Sequence, residues 1–252
     1  MRKKKLLSLL FTPLAMLLMA ACGNGADTAD GDVFTIGTDT TFAPFEFEND
    51  DGDFVGIDLD ILAAIAEDQG FKYELKPLGF NAAVTALEAK QVDGVIAGMS
   101  ITPDREKTYD FSDPYYESTV GVAVAPDSGI TSLEDLNGDQ VVVKTGTTGA
   151  DFAESVKDEY GFEVKYVEDS ATMYQDVNVG NSKAAFEDFP VVKYEIARGM
   201  DLEVIYETEE GSNYGFATLK GEQTELVEMF NAGLKNLRDN GKYDEILSTY
   251  LD

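Results

Sequence analysis

The strongest constraint on the fold is a junction that occurs twice. An apolar run, Val95-Ile96-Ala97, ends at Gly98 and passes through Ser100 to Thr102-Pro103-Asp104, a helix-start signal, and then Arg105. A second run, Val141-Val142-Val143-Lys144, feeds Thr145-Gly146-Thr147-Thr148-Gly149 and a helix expected to reach about Tyr160. Strand, Gly/hydroxyl turn and helix in that order is the connection of a parallel α/β sheet. Ligands of such sheets gather outside the carboxyl ends of the strands, where these junctions lie. Two junctions predict two α/β units in succession.

The rest of the chain fills in both units. Val33–Gly37 reads as a buried strand. Asn49-Asp50-Asp51-Gly52 is a hairpin signal between Phe45–Phe47 and Phe54–Val55. Asp58–Gln69 carries Leu59, Leu62, Ile65 and Ala66 at helical spacing and stops at Gly70. Phe71–Leu75 is a strand, Asn81 an expected cap for a helix to Lys90, and Gln91–Ala97 a strand. Beyond Tyr116 the expected strands are Val120–Ala125, Glu163–Val167, Ala184–Phe186, Leu202–Tyr206 and Tyr214–Leu219. The expected helices are Ser132–Leu136, Thr172–Val179, Phe189–Ala197 (Pro190 in its first turn), Glu222–Asn240 and Tyr243–Tyr250. The last strand and helices are too few for a third domain. If they return to the first unit, the chain crosses between units twice, which makes a hinge and a cleft that can close on a ligand.

The first residues are expected to lie outside this fold. Arg2-Lys3-Lys4-Lys5 followed by the apolar stretch Leu6–Ala21 reads as a signal peptide. Cys22, the single cysteine, is either an incidental thiol or the lipidated first residue of the mature protein. The small residues before it and the polar tether Gly23–Asp32 after it favour lipidation, although Met19 stands where leucine is usual. The leader holds four of the 19 basic residues, which leaves 15 against 48 acidic ones, a net charge of −33. That balance argues against nucleic acid and anionic membrane surfaces as partners. With no histidine and one cysteine, zinc sites of the usual kind and Ser-His-Asp or Cys-His catalysis are excluded. No cofactor or metal is expected.

The candidate ligand groups sit at strand ends. Arg105 offers a planar fork for a carboxylate, although a surface arginine is the commoner fate. Thr145–Gly149 offers helical N–H groups or is an ordinary tight turn. Asp188 follows the strand Ala184-Ala185-Phe186 and either caps a helix or pairs with an ammonium. Asp39 and Lys144 are further polar candidates, and Phe42 and Phe80 are core residues or a stacking wall. Together these groups suit an α-amino acid.

Four segments carry a family resemblance. They are Thr38–Phe47 (TDTTFAPFEF), Gly56–Asp60 (GIDLD), Ala97–Thr102 (AGMSIT) with Arg105, and Asp110–Tyr116 (DFSDPYY). They resemble the family 3, polar amino-acid solute-binding proteins of ABC importers, from about Val33 onward, with the glutamine-binding branch as the nearest match. The resemblance implies a type II periplasmic-binding fold: two α/β lobes joined by two hinge strands. Residues 1–21 would be the signal peptide, 22–32 the lipidated cysteine and tether, 32–116 with 215–252 one lobe, and 117–214 the other. It implies that Arg105 binds the ligand carboxylate with the backbone N–H groups of Ser100 and Thr148. Gly98, Ser100 and Asp188 would take the ammonium. Ala97, Phe42 and Phe80 would line the pocket, and Asp39 with Lys144 would address a side-chain amide. Glu187 stands where the glutamine-binding branch has histidine, and its extra acid points toward a basic amino acid. The implied function is binding without catalysis by a monomer, lipid-anchored at the outer face of the cytoplasmic membrane, that delivers an amino acid to an ABC permease. Glutamine is the first choice. A basic amino acid, glutamate, or a dehydratase on the same scaffold are the alternatives.

Overall fold

The computed structural model describes residues 33–251. The expected signal peptide, Cys22 and the tether lie outside the described residues. β1 (Val33–Thr38) leads into a small antiparallel sheet of β2 (Thr41–Phe42), β3 (Glu46–Glu48) and β4 (Phe54–Val55). The turn between β3 and β4 forms because Asn49 Oδ1 accepts from the N–H groups of Asp51 (3.0 Å) and Asp53 (2.9 Å). α1 (Ile57–Gln69) follows Gly56, whose φ of 151° and closeness to Phe45 O (1.9 Å from an added Cβ) admit no side chain. Then come β5 (Lys72–Pro77), α2 (Phe80–Glu88), β6 (Gly94–Val95), β7 (Ser100–Ile101), β8 (Tyr109–Phe111) and β9 (Tyr116–Ser118).

The second lobe begins with β10 (Val120–Val124) and continues with β11 (Gln140–Lys144), α3 (Thr148–Tyr160) and β12 (Glu163–Val167). α4 (Ser170–Asn178), β13 (Ala184–Asp188), α5 (Phe189–Ala197) and β14 (Glu203–Glu207) complete it. β15 (Ser212–Tyr214) leads back to β16 (Ala217–Leu219), α6 (Thr224–Asp239) and α7 (Lys242–Leu251).

Two five-stranded sheets result, in the orders β5-β1-β6-β16-β8 and β12-β11-β13-β10-β14. Both are mixed rather than wholly parallel. β1 runs parallel to β5 and β6, but β16 is antiparallel to β6 and β8. β10 is antiparallel to both of its neighbours. The chain passes between the sheets on β9 and returns on β15, and these two strands pair antiparallel, Tyr116 opposite Tyr214.

α6 places Leu226, Phe230, Leu234 and Leu237 against α1, at helical spacing. Gly233 lets the two helices close, since a Cβ there would lie 2.7 Å from Ile65. Phe230 stacks on Phe216 at 4.8 Å. In the second lobe, alternation along β11 sends Val141 and Val143 to one core and Val142 to the other.

Local expectations fail at several points: the single strand expected over Tyr214–Leu219, for one, is divided between β15 and β16, which belong to different sheets. Arg105 does not open an α-helix; residues Arg105–Lys107 make one 3₁₀ turn, because Tyr109 already pairs into the sheet. Asn81 does not cap α2, which starts at Phe80 after Gly79; its side chain donates to Glu168 at 3.4 Å instead. The strand expected over Gln91–Ala97 shrinks to Gly94–Val95.

Candidate functional site

The carboxyl ends of β1, β6, β11 and β13 meet between the lobes around a small cavity. Of the eleven residues expected at a ligand, ten line it: Phe42, Phe80, Ala97, Gly98, Ser100, Arg105, Lys144, Thr148, Glu187 and Asp188. Asp39 is not among the lining residues; it reaches the cavity through Lys144. Thr147, within the Thr145–Gly149 junction, completes the wall.

Each polar group is held from behind. Arg105 reaches the cleft from its single turn, donating to Ser100 O (2.8 Å) and, across the cleft, to Gly146 O (2.9 Å). Its guanidinium carbon lies 5.4 Å from the centre of the Phe80 ring. Two bonds leave three of its five N–H donors uncommitted to these partners. Gly98 sits at φ +53°, and a Cβ there would lie 2.3 Å from the Phe42 ring, so only glycine fits. Thr148 is the first residue of α3, capped by the Thr147 hydroxyl, which accepts from Ala150 N–H. Its backbone N–H therefore belongs to the unpaired first turn.

Asp188 stands at the start of α5, but its side chain makes no cap. It accepts instead from Tyr214 O–H (2.5 Å) and Thr148 O–H (3.2 Å). Burial, with the Glu187 charge beside it, pushes the Asp188 carboxyl up to about 7.

Lys144 is the centre of a buried charge chain. Its ammonium donates to Asp39 Oδ2 (2.7 Å) and to Ser170 Oγ (2.9 Å). Ser170 O–H in turn donates to Glu187 Oε2 (2.7 Å). The ammonium also lies 4.3 Å from the centre of the Phe42 ring. Burial alone would lower the Lys144 pKa, but Asp39 and Glu187 outweigh it and raise it. Ser170 and Tyr214 went unrecognised in the sequence: a serine opening a helix and a tyrosine in a crossing strand carry no local signal of a cleft.

The bonds that span the cleft describe a closed arrangement. Besides Lys144–Asp39 and Arg105–Gly146, Ser170 N–H donates to Thr41 Oγ1 (3.2 Å), and Arg198 pairs with Asp50 (2.9 Å).

Comparison with known proteins agrees with this geometry. The second substrate-binding domain of GlnP from Lactococcus lactis, solved in an open conformation, is 44% identical, with 89% of this chain and 97% of that one covered and a TM-score of 0.60. An ancestral arginine-binding protein bound to arginine is only 36% identical, over 87% of this chain and 98% of that one, yet its TM-score is 0.81. An ancestral arginine-binding protein bound to glutamine gives 0.80. The sequence more like this one, solved in an open conformation, superposes less well. Among curated relatives, the arginine-binding extracellular protein ArtP of Bacillus subtilis is 31% identical, with 96% of both chains covered. The family model for bacterial extracellular solute-binding proteins, family 3, matches residues 34–252, and the chain belongs to that family.

Proposed function

We propose that the chain captures a polar L-amino acid, glutamine first, by closing two lobes on it, and delivers it to the membrane subunits of an ABC importer. The observation that carries this reading is the set of groups around one small cavity: an arginine fork, a helix N-terminus, a buried acid, and a lysine held between two acids. Arg105 and the Thr148 N–H take the α-carboxylate, with Ser100 N–H beside them. Asp188, the Ser100 hydroxyl and the Gly98 carbonyl take the α-ammonium. Phe42, Phe80 and Ala97 wall the side chain.

Lys144 supports glutamine because a carboxamide offers it an acceptor and offers Asp39 donors. A second reading, a basic amino acid, is favoured by Glu187, a second acid lining the cavity. Relatives whose names specify arginine support it too. A glutamate side chain would add a third anion to Asp39 and Glu187. Dehydratase chemistry on this scaffold would have to fall on carboxylates such as Asp39 or Glu187. We place the lobes at 32–116 with 215–252 and at 117–214, and an anchor on Cys22 holding the monomer at the outer face of the membrane.

Calorimetric titration with L-glutamine, L-arginine, L-lysine, L-histidine and L-glutamate tests the reading. Tightest binding of glutamine supports it, and tightest binding of arginine selects the second reading. Silence from every amino acid, or turnover of one, defeats both.

A further inference from the structure

Two buried acids lie behind the cleft. Glu46 in β3 is fully buried, and neither of its carboxyl oxygens has a partner in the described structure. Asp58, near the start of α1, is fully buried as well. Its Oδ2 accepts from Gly98 N–H (2.8 Å) and from Tyr115 O–H (2.7 Å), while its Oδ1 has no partner. The two carboxyl groups adjoin each other. Ionised carboxyls only accept, so two of them side by side leave these oxygens orphaned. One proton between them resolves two of the orphans at once. The charged and titratable groups facing the pair are Asp39 from the loop after β1, Lys144 from β11, Tyr115 at the entry to β9, and Tyr243 from α7. Lys144 is the one cation of that set, and Asp39 and Glu187 already claim it.

We propose that Glu46 carries a proton in the folded protein and donates it to Asp58, and that this proton-sharing pair is the positioning device holding Gly98 and Tyr115 in place for the ligand. Gly98 lines the cavity, and Tyr115 precedes the first crossing strand. Asp58 holds both through one oxygen, and Glu46 fixes the other. The positioning half rests on the cleft being the amino-acid site; the proton half does not. Burial, then the charges of Asp58 and Asp39, raise the Glu46 carboxyl well above its ordinary value. Burial raises Asp58 to about 6, against the pull of Gly98 N–H and Tyr115 O–H.

The sign of the pH effect follows. A carboxyl with a raised pKa in the folded state favours folding fully below its unfolded value, and that contribution is lost as pH rises toward the folded value. Above pH about 6, the unfolded chain has released this proton while the folded pair still holds it. The folding constant should then fall tenfold per pH unit relative to a variant that needs no proton. Glu46→Gln is that variant, since its amide N–H donates to Asp58 at every pH.

The test has two arms on the full chain. In the first, denaturant unfolding without ligand is followed by circular dichroism from pH 6.5 to 8. The wild-type to E46Q ratio of folding constants should drop about tenfold per unit; a flat ratio means Glu46 is ionised in the fold and overturns the proposal. In the second, L-glutamine is titrated at pH 7. E46Q should bind within about threefold of wild type and Glu46→Leu at least tenfold more weakly; wild-type affinity in E46L overturns the positioning role. If E46L does not fold, tenfold or weaker binding by folded E46Q overturns that role instead. If the wild type binds no amino acid, the functional reading has failed, and the first arm still decides the proton.

Discussion

Replacing Lys144 with methionine should damage lobe closure far more than it damages the fold. Lys144 belongs to β11 and Asp39 to the loop after β1, so their 2.7 Å contact exists only while the lobes are together. Both side chains are 1% exposed in the closed form. At that separation the attraction is about 6 kcal/mol for an effective dielectric near 20. Desolvating two charges offsets much of it. Removing one partner is different, because the other stays buried alone, at a cost of about 3–5 kcal/mol. In K144M the orphaned acids are Asp39 and Glu187, and both can escape the penalty by opening the lobes to water. The cost therefore falls on closure, and ligand affinity should drop roughly 10²- to 10³-fold while thermal stability changes little.

Asp39→Asn supplies the internal control. It removes one acid but leaves Lys144 with Ser170 and, through it, Glu187. Its loss should be smaller, about tenfold. Calorimetric titration gives the affinities, and small-angle scattering reports whether K144M stays expanded at saturating amino acid. Equal losses in K144M and D39N would refute the argument, because the chain from Asp39 to Glu187 would then not be acting as one unit. A shift of K144M preference toward arginine, whose guanidinium would restore a cation near both acids, is the accompanying expectation.

Arg105→Ala should weaken every amino acid by a few kcal/mol without changing their order, since the carboxylate it meets is common to all; calorimetric titration of the amino-acid panel checks this, and a change of order would show that Arg105 reads side chains. Asp188, raised to about 7, must give up its proton to receive an ammonium, so affinity should fall as pH drops below 7, approaching tenfold per unit. Titration from pH 5.5 to 8 checks this, and a flat profile would place the ammonium elsewhere. Cys22→Ser should release the protein from membranes into the medium, as seen by fractionation; unchanged retention would remove the lipid anchor from the reading.

What could be read from the sequence was whatever a few neighbouring residues determine. Asn49 through Gly52 build their turn with their own side chains, and Gly70 ends α1 in the left-handed conformation it was expected to adopt. Gly98 was legible as a glycine ending an apolar run, although the Phe42 ring that requires it lies 56 positions earlier in the chain. Arg105 was found at the cleft for a partly wrong reason, since the helix that was to present it is a single turn. Asn81 looked like a cap because its residue type favours caps, yet Gly79 takes that position. Local preference yields where the next element must already be in register.

What was not legible depends on residues brought together from far apart. Ser170 matters only because Lys144 and Glu187 fall on either side of its hydroxyl, and a proton can be shared by Glu46 and Asp58 only once β3 meets the start of α1. Such groups cost stability in the fold and serve what happens at the cleft. The charges there show the same thing. Arg105 and Lys144 face Asp39, Glu187 and Asp188, one anion in excess, and Asp188 accordingly holds a proton up to about pH 7. On the proposed reading an α-ammonium takes that proton's place, while the ligand carboxylate goes to Arg105. A neutral side chain then leaves the excess anion in place, and a cationic one cancels it. The choice between glutamine and a basic amino acid therefore rests on whether Glu187 is already satisfied by Ser170 and the Asp188 N–H, as its two bonds of 2.7 and 3.1 Å indicate.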